Sequence, residues 1–132
     1  MSKNDEVELP PDSTPMIRTV AMPANSNANG DIFGGWLMSQ MDLGGSNLAS
    51  RIAQGRIATV AVDGMSFIRP VKIGDEVSVY ATLVSVGHTS IKINVEAWRR
   101  RPDFTPERRV TKAIFTFVAI NADGKPRPVK SE

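Results

Sequence analysis

The stretch GGWLMSQMDLGGSNLASRIAQ (Gly34–Gln54) decides the fold. Leu37, Met41, Gly44, Leu48 and Ile52 recur at steps of three and four, and Met38, Asp42, Gly45 and Ala49 fill the adjacent stripe, which is helical spacing. The spacing predicts a helix over 34–54, roughly 30 Å long at about 1.5 Å per residue. Its first turns are apolar or small nearly all round, so another layer must wrap it. The only charge between Ile32 and Ser50 is Asp42.

Strands surround this helix in the sequence. MIRTVAMP (Met16–Pro23) reads as a short strand ended by proline, and PANSNANGD as a loop whose Asn and Gly tolerate left-handed backbone. EVSVYATLVS (Glu76–Ser85) and SIKINVEAW (Ser90–Trp98) alternate apolar and polar, as antiparallel strands with one wet face do. RVTKAIFTFVAI (Arg109–Ile120) continues a buried face through Phe115, Phe117 and Ala119. In TVAVDGMSFIRP (Thr59–Pro70) the apolar phase slips at Gly64, which predicts a β-bulge. The connectors VKIGD, SVGHT and RRPDFTPE are short and predict a meander. The expected architecture is α+β, with a curved antiparallel sheet around one long central helix. The polar, proline-punctuated residues 1–15 are expected to be a flexible segment before a single domain over 16–132.

The inventory of reactive residues is short. With no cysteine there is no disulfide, thiolate nucleophile or cysteine-bound zinc. His88 is the only histidine, so a histidine-cluster metal site is impossible, and a Ser-His-Asp triad would depend wholly on it, without a G-x-S-x-G elbow. No metal or other cofactor is expected. The net charge of +2 demands no nucleic-acid partner. The arginines of RRRPDFTPERR (Arg99, Arg100, Arg101, Arg108, Arg109) read first as a solvated hairpin loop and second as an anion site; with Phe104 alone among them, aromatic platforms for nucleic acid are lacking. Residues 1–15 fit neither a secretory signal nor a transit peptide, and no apolar run spans a bilayer, so the cytoplasm is the expected location.

Asp42 carries the functional question. Burying an unpaired carboxylate costs several kcal/mol, so Asp42 must be paired, neutral, exposed or useful. Gly44 and Gly45 each cost about 1 kcal/mol relative to alanine in a helix interior, which suggests that a backbone or ligand approaches closely there. Met38 and Gly45, one turn either side of Asp42, would leave an apolar slot beside it. At the helix start, Gly34 and Gly35 offer free N–H groups and the positive end of the dipole. A solvent-facing acid with glycines that merely pack or turn is an equally good reading of the pattern. If the two features act together, they supply an oxyanion stabiliser and a general base or nucleophile.

The segments NANGDIFGGWLMSQMD (Asn27–Asp42) and VAVDGMSFIRPVKIGD (Val60–Asp75) resemble the YciA-type acyl-CoA thioesterases of the hotdog fold, and the likeness runs from about Met16 to the KPRP of the tail. The resemblance implies hydrolysis of acyl-CoA to free acid and CoA, protomers paired into dimers, and trimers of dimers. It implies that Asp42 is the catalytic acid, made more basic by burial where two subunits meet. Asn27 then positions water or thioester, and the Gly35 N–H polarises the carbonyl. Phe33 stands where many relatives have His, which leaves the backbone donors in place. By their positions Trp36, Met38, Met65 and Phe67 are expected to line the acyl tunnel, and Gly34 to lie in the substrate site. The resemblance directs attention to Arg69 and the turn Gly87, His88, Thr89 and Ser90 for the CoA phosphates, although a solvated arginine and an ordinary hairpin turn explain those equally well. The alternatives are a non-catalytic acyl-CoA binding module and a hotdog hydratase or dehydratase, the latter disfavoured because His88 lies in a turn.

Overall fold

The computed structural model describes residues 8–129. Along the chain come β1 (Ile17–Val20), a 3-10 turn at Pro23–Asn25, α1 (Gly34–Ala53), β2 (Ile57–Asp63), β3 (Glu76–Val86), β4 (Ser90–Arg100) and β5 (Arg108–Ala119). The strands form one five-stranded sheet in the order β1-β3-β4-β5-β2, with every neighbouring pair antiparallel. The sheet curves over α1 as a half-barrel, the hotdog architecture.

Two expectations change. β3, β4 and β5 form the meander, but β2 joins beyond β5 instead of beside β3. The cause lies in residues 64–75: Gly64, at φ +71°, ends β2, and the following chain crosses from one sheet edge to the other. Met65–Pro70 is therefore not strand. It is tied to β5 by the Ile68 N–H on the Val110 carbonyl (2.9 Å) and the Thr111 hydroxyl on the Ser66 carbonyl (2.6 Å). The bulge sits at Val60, between Thr59 and Ala61, so the phase slip at Gly64 marks a strand end.

The core lies between α1 and the concave side of the sheet. Leu37, Met41 and Ala49 pack with Val77, Val79, Ile91, Ile93, Val95, Phe115 and Phe117, all buried. Each large side chain removed from water contributes roughly 1.5–3 kcal/mol. The Phe115 and Phe117 rings stack with centroids 6.1 Å apart. A Cβ on Gly44 would lie 2.7 Å from Val79 Cγ1, and one on Gly45 would lie 3.1 Å from both Phe117 Cζ and Val95 Cγ2. The glycine pair thus lets the helix sit low on the sheet. The space beside Gly45 is filled by these side chains, which removes the apolar slot expected between Met38 and Gly45.

The C-terminal end of α1 is satisfied without charge conflict. Gln54 adopts a left-handed conformation (φ 53°) and its N–H reaches the Ser50 carbonyl, ending the helix. Arg127 Nη2 donates to the Ala53 carbonyl at 2.8 Å, placing a cation on the negative end of the dipole. The expected flexible segment is described only from Glu8; residues 1–7 lie outside the described part. From Glu8 to Pro15 there is no helix or strand, yet the segment lies against the outer sheet face. Glu8 pairs with Arg69 at 3.2 Å, and Glu8, Leu9 and Pro11 line a cleft with Trp98, which is buried. Among the described residues no helix is long and apolar enough to cross a membrane.

Candidate active site

Asp42 lies on the flank of α1 that faces β2 and is half-buried. The Thr59 hydroxyl, on β2, donates to Asp42 Oδ1 at 2.6 Å. The lone acid is therefore paired with a hydroxyl on the adjacent strand, not with a cation. This contact fixes the rotamer of the carboxylate, while Oδ2 remains able to accept from another donor. The sequence alone presents Thr59 only as a β-branched strand residue.

The start of α1 supplies the second element. Its first turn donates from Trp36 and Leu37 to the Phe33 carbonyl, at 3.1 and 3.4 Å. The amides of Gly34 and Gly35 precede these bonds and have no helical acceptor. A Cβ on Gly35 would meet nothing within 4 Å, so the space on the side-chain side of Gly35 is open. Gly34 is closed on one side by the Phe67 ring, whose nearest atoms lie 3.4 Å from a built Cβ.

Asn27 is built into the loop before the helix. Its Oδ1 accepts the N–H groups of Asn29 (2.9 Å) and Asp31 (3.2 Å), and its own N–H donates to the Asp31 carbonyl at 2.8 Å. This Asx-type turn spends the amide oxygen and leaves the Nδ2 hydrogens as the part that can reach a ligand. The Asp31–Lys72 ion pair and the Phe33 N–H on the Asn25 carbonyl (3.0 Å) anchor the loop to its surroundings.

The other expected residues divide. A cavity of about 210 Å³ lies at the helix start, lined mainly by Phe33, Gly34, Leu37, Phe67, Val71 and Val110, with Arg69 on its wall. Of the expected substrate residues Gly34 and Phe67 line it, whereas Met65 and Trp36 pack against the core and Met38 stays exposed beside Asp42. Arg69 donates to Glu8 and to the Arg109 carbonyl (2.7 Å). The turn holding Gly87, His88, Thr89 and Ser90 sits at the opposite end of the β4–β5 ladder, where Ser90 faces Val118 while Arg99 faces Arg108. The Gly87 N–H is spent on the Ser90 carbonyl (2.7 Å), and the His88 carbonyl receives the Val129 N–H (2.9 Å). Within one protomer, Arg69 and this turn are not brought together.

The arginine-rich stretch is mostly structural. Arg99 is buried, and its Nε donates to the Pro70 carbonyl at 3.2 Å. Burial holds its guanidinium below the ordinary arginine range; Arg101, Arg69 and Arg108 push the same way and Asp75 opposes them. Arg100 pairs with Glu76 and Arg101 with buried Asp75. Arg100 and the loop over residues 102–106, with Phe104 at its tip, stay exposed.

These features coincide with clear similarities. The thioesterase superfamily matches residues 29–103. The chain is 54% identical over 125 residues to the acyl-CoA thioester hydrolase YciA of Salmonella typhimurium, covering 89% of this chain and 94% of that protein. It superposes on the hexameric thioesterase y2039 from Yersinia pestis with a TM-score of 0.85 at 53% identity, covering 92% of this chain and 99% of the other. Cj0915, a hexameric hotdog fold thioesterase of Campylobacter jejuni, gives 0.85 at 40% identity, covering 89% and 91%. By sequence and by architecture alike, the chain belongs to the thioesterase superfamily, among the acyl-CoA thioester hydrolases of the hotdog fold.

Proposed function

We propose that the protein hydrolyses acyl-CoA, with water as co-substrate and no metal, at a site shared by two protomers. Asp42 and Gly35 are seven residues apart on one helix, about 10 Å along its axis at 1.5 Å per residue. One thioester carbonyl cannot touch both on the same chain. Two copies related by a two-fold axis bring Asp42 of one protomer to the helix start of its partner, and the exposed β2 flank, with Val60 and Met38, is the surface on which they meet. The hexameric state of the Yersinia and Campylobacter relatives supports self-association, with a trimer of dimers as the arrangement.

The observation that carries the reading is Asp42, oriented by Thr59 on that open flank. In the reaction the thioester carbonyl oxygen accepts the Gly35 N–H, which stabilises the charge developing there. Asp42 takes a proton from water as its oxygen adds to the carbonyl carbon, or adds itself to give a mixed anhydride that water then opens. The carbon–sulfur bond breaks, and the CoA thiolate leaves and takes up the proton. Asn27 Nδ2 donates to the water or to the carbonyl. Oxygen-18 from labelled water found in Asp42 after one turnover marks the anhydride route.

Thiol release from short to long acyl-CoAs, with wild type and Asp42→Asn compared at matched oligomeric state, tests this reading. The expected result is release by wild type and a loss of about 10²–10⁴-fold in the variant, with CoA still bound. Absence of release from every acyl-CoA would instead support a non-catalytic binding module. Nothing at the turn of exposed His88 favours hydration of the acyl chain.

A further inference from the structure

The cavity at the start of α1 is apolar except for one wall. Phe33, Leu37, Phe67, Val71 and Val110 line it, and among the described residues Arg69 is the only charged side chain on it. Gly34 lines it too, and the next residue is Gly35. An acyl chain whose carbonyl accepts the Gly35 N–H therefore has this space to enter.

Arg69 connects two surfaces. Its side chain borders the cavity, while its Nη1 donates to the Arg109 carbonyl (2.7 Å) and to Glu8 Oε2 (3.2 Å). Consecutive residues of β5 face the two sides: Val110 lines the cavity, and Arg109 lines the outer cleft with Glu8, Leu9, Pro11 and Trp98. The ion pair is shielded, with the Arg69 and Glu8 side chains 14% and 23% exposed, so solvent and salt screen it less than an ordinary surface pair. Its surroundings are cationic. Arg69 acts with Arg101 and Arg108 to push the Arg99 guanidinium down, and Asp75 opposes them. A carboxylate from the segment before β1 thus stands against the one cation on an apolar cavity.

We propose that Glu8 is a specificity-determining residue: by holding Arg69, it makes the cavity select uncharged acyl chains over chains that end in a second carboxylate. The inference rests on the acyl-CoA reading above. Glu8→Gln keeps the shape and an oxygen acceptor for Nη1, but leaves the cavity wall with one more unit of positive charge. An apolar chain end must then cover that charge, which is unfavourable, whereas a terminal carboxylate is attracted to it.

Thiol release by the full chain from pairs of equal chain length tests it: butyryl- with succinyl-CoA, pentanoyl- with glutaryl-CoA, and hexanoyl- with adipoyl-CoA. In Glu8→Gln the kcat/KM of the dicarboxylic member relative to its partner is expected to rise about tenfold in at least one pair, the scale of one hydrogen bond to a charged group, with the change carried by KM. Glu8→Asp, which keeps the charge, is expected to hold the ratio near that of wild type. Glu8→Ala repeats the test should Glu8→Gln fail to give the wild-type circular dichroism. Ratios unchanged in every pair, or a loss shared equally by both members, would overturn the assignment and leave hydrolysis standing, as would a Glu8→Asp variant that shifts as far as Glu8→Gln. No release by wild type from any acyl-CoA would overturn the hydrolase reading and this inference with it.

Discussion

Helix α1 carries the dipeptide Gly-Gly twice, and the two pairs do opposite work. At Gly44 and Gly45 there is no room for anything larger: added Cβ atoms would stand 2.7 Å from Val79 and 3.1 Å from Phe117 and Val95. At Gly35 there is room and nothing fills it, since an added Cβ meets no atom within 4 Å. The first pair is small because the sheet comes close. In the second, Gly35 leaves open space on its side-chain side, next to an amide that has no helical acceptor. The same residue type thus marks a packing contact where its neighbours are buried, and an opening where its neighbours are exposed.

The contrast can be broken at either end. Gly35→Pro removes the N–H while keeping a residue that a first helical turn tolerates; steady-state thiol release should fall by about 10²–10³-fold, as for other lost oxyanion donors, with unchanged sedimentation and circular dichroism. Thr59→Val removes the donor to the Asp42 carboxylate. A hydrogen bond to a charged group contributes roughly 1.5–3 kcal/mol, so kcat should drop at least about tenfold with KM nearly constant, and Thr59→Ser should recover it. A KM change alone would separate Thr59 from the chemistry. Gly44→Ala forces Val79 to move, costing about 1–3 kcal/mol for overpacking against about 1 kcal/mol of regained helix propensity. Denaturant unfolding at fixed protein concentration should show the net loss, with turnover per folded protomer preserved. Smallest of all, Gly35→Ala keeps the amide and enters open space, so stability should stay within about 0.5 kcal/mol and the N–H should still serve. A large loss there would mean that substrate itself occupies the space beside Gly35.

Local features were legible in the sequence and long-range pairings were not. The helix read over 34–54 spans Gly34–Ala53, and the alternating segments became β3, β4 and β5 within a few residues, because hydrophobic period reflects which face is buried. The position of β2 beyond β5 depends on how residues 64–75 cross the sheet, and no local pattern records that. The close approach at Gly44 and Gly45 was foreseeable as a backbone or a ligand; it is made by side chains of three strands. Thr59 and Asp42 are seventeen residues apart in sequence, and their hydrogen bond arises only because β2 lies along the helix flank. Arg69 and the turn at Gly87–Ser90 read equally as phosphate contacts or as a solvated arginine and an ordinary hairpin turn, and within one protomer they lie at opposite ends of the β4–β5 ladder. Asp42 itself was visible early, since a lone charge in an apolar helix conflicts with its surroundings.

The seven-residue separation of Gly35 and Asp42 also has a meaning for inheritance. If each reaction centre draws its acid from one chain and its amide from the other, two damaged genes can compensate for each other. A chain lacking Asp42 and a chain lacking the Gly35 amide are each inert as pure assemblies. A mixed pair contains one centre with both defects and one with neither. A cell carrying both alleles would therefore regain part of the activity that neither allele provides alone.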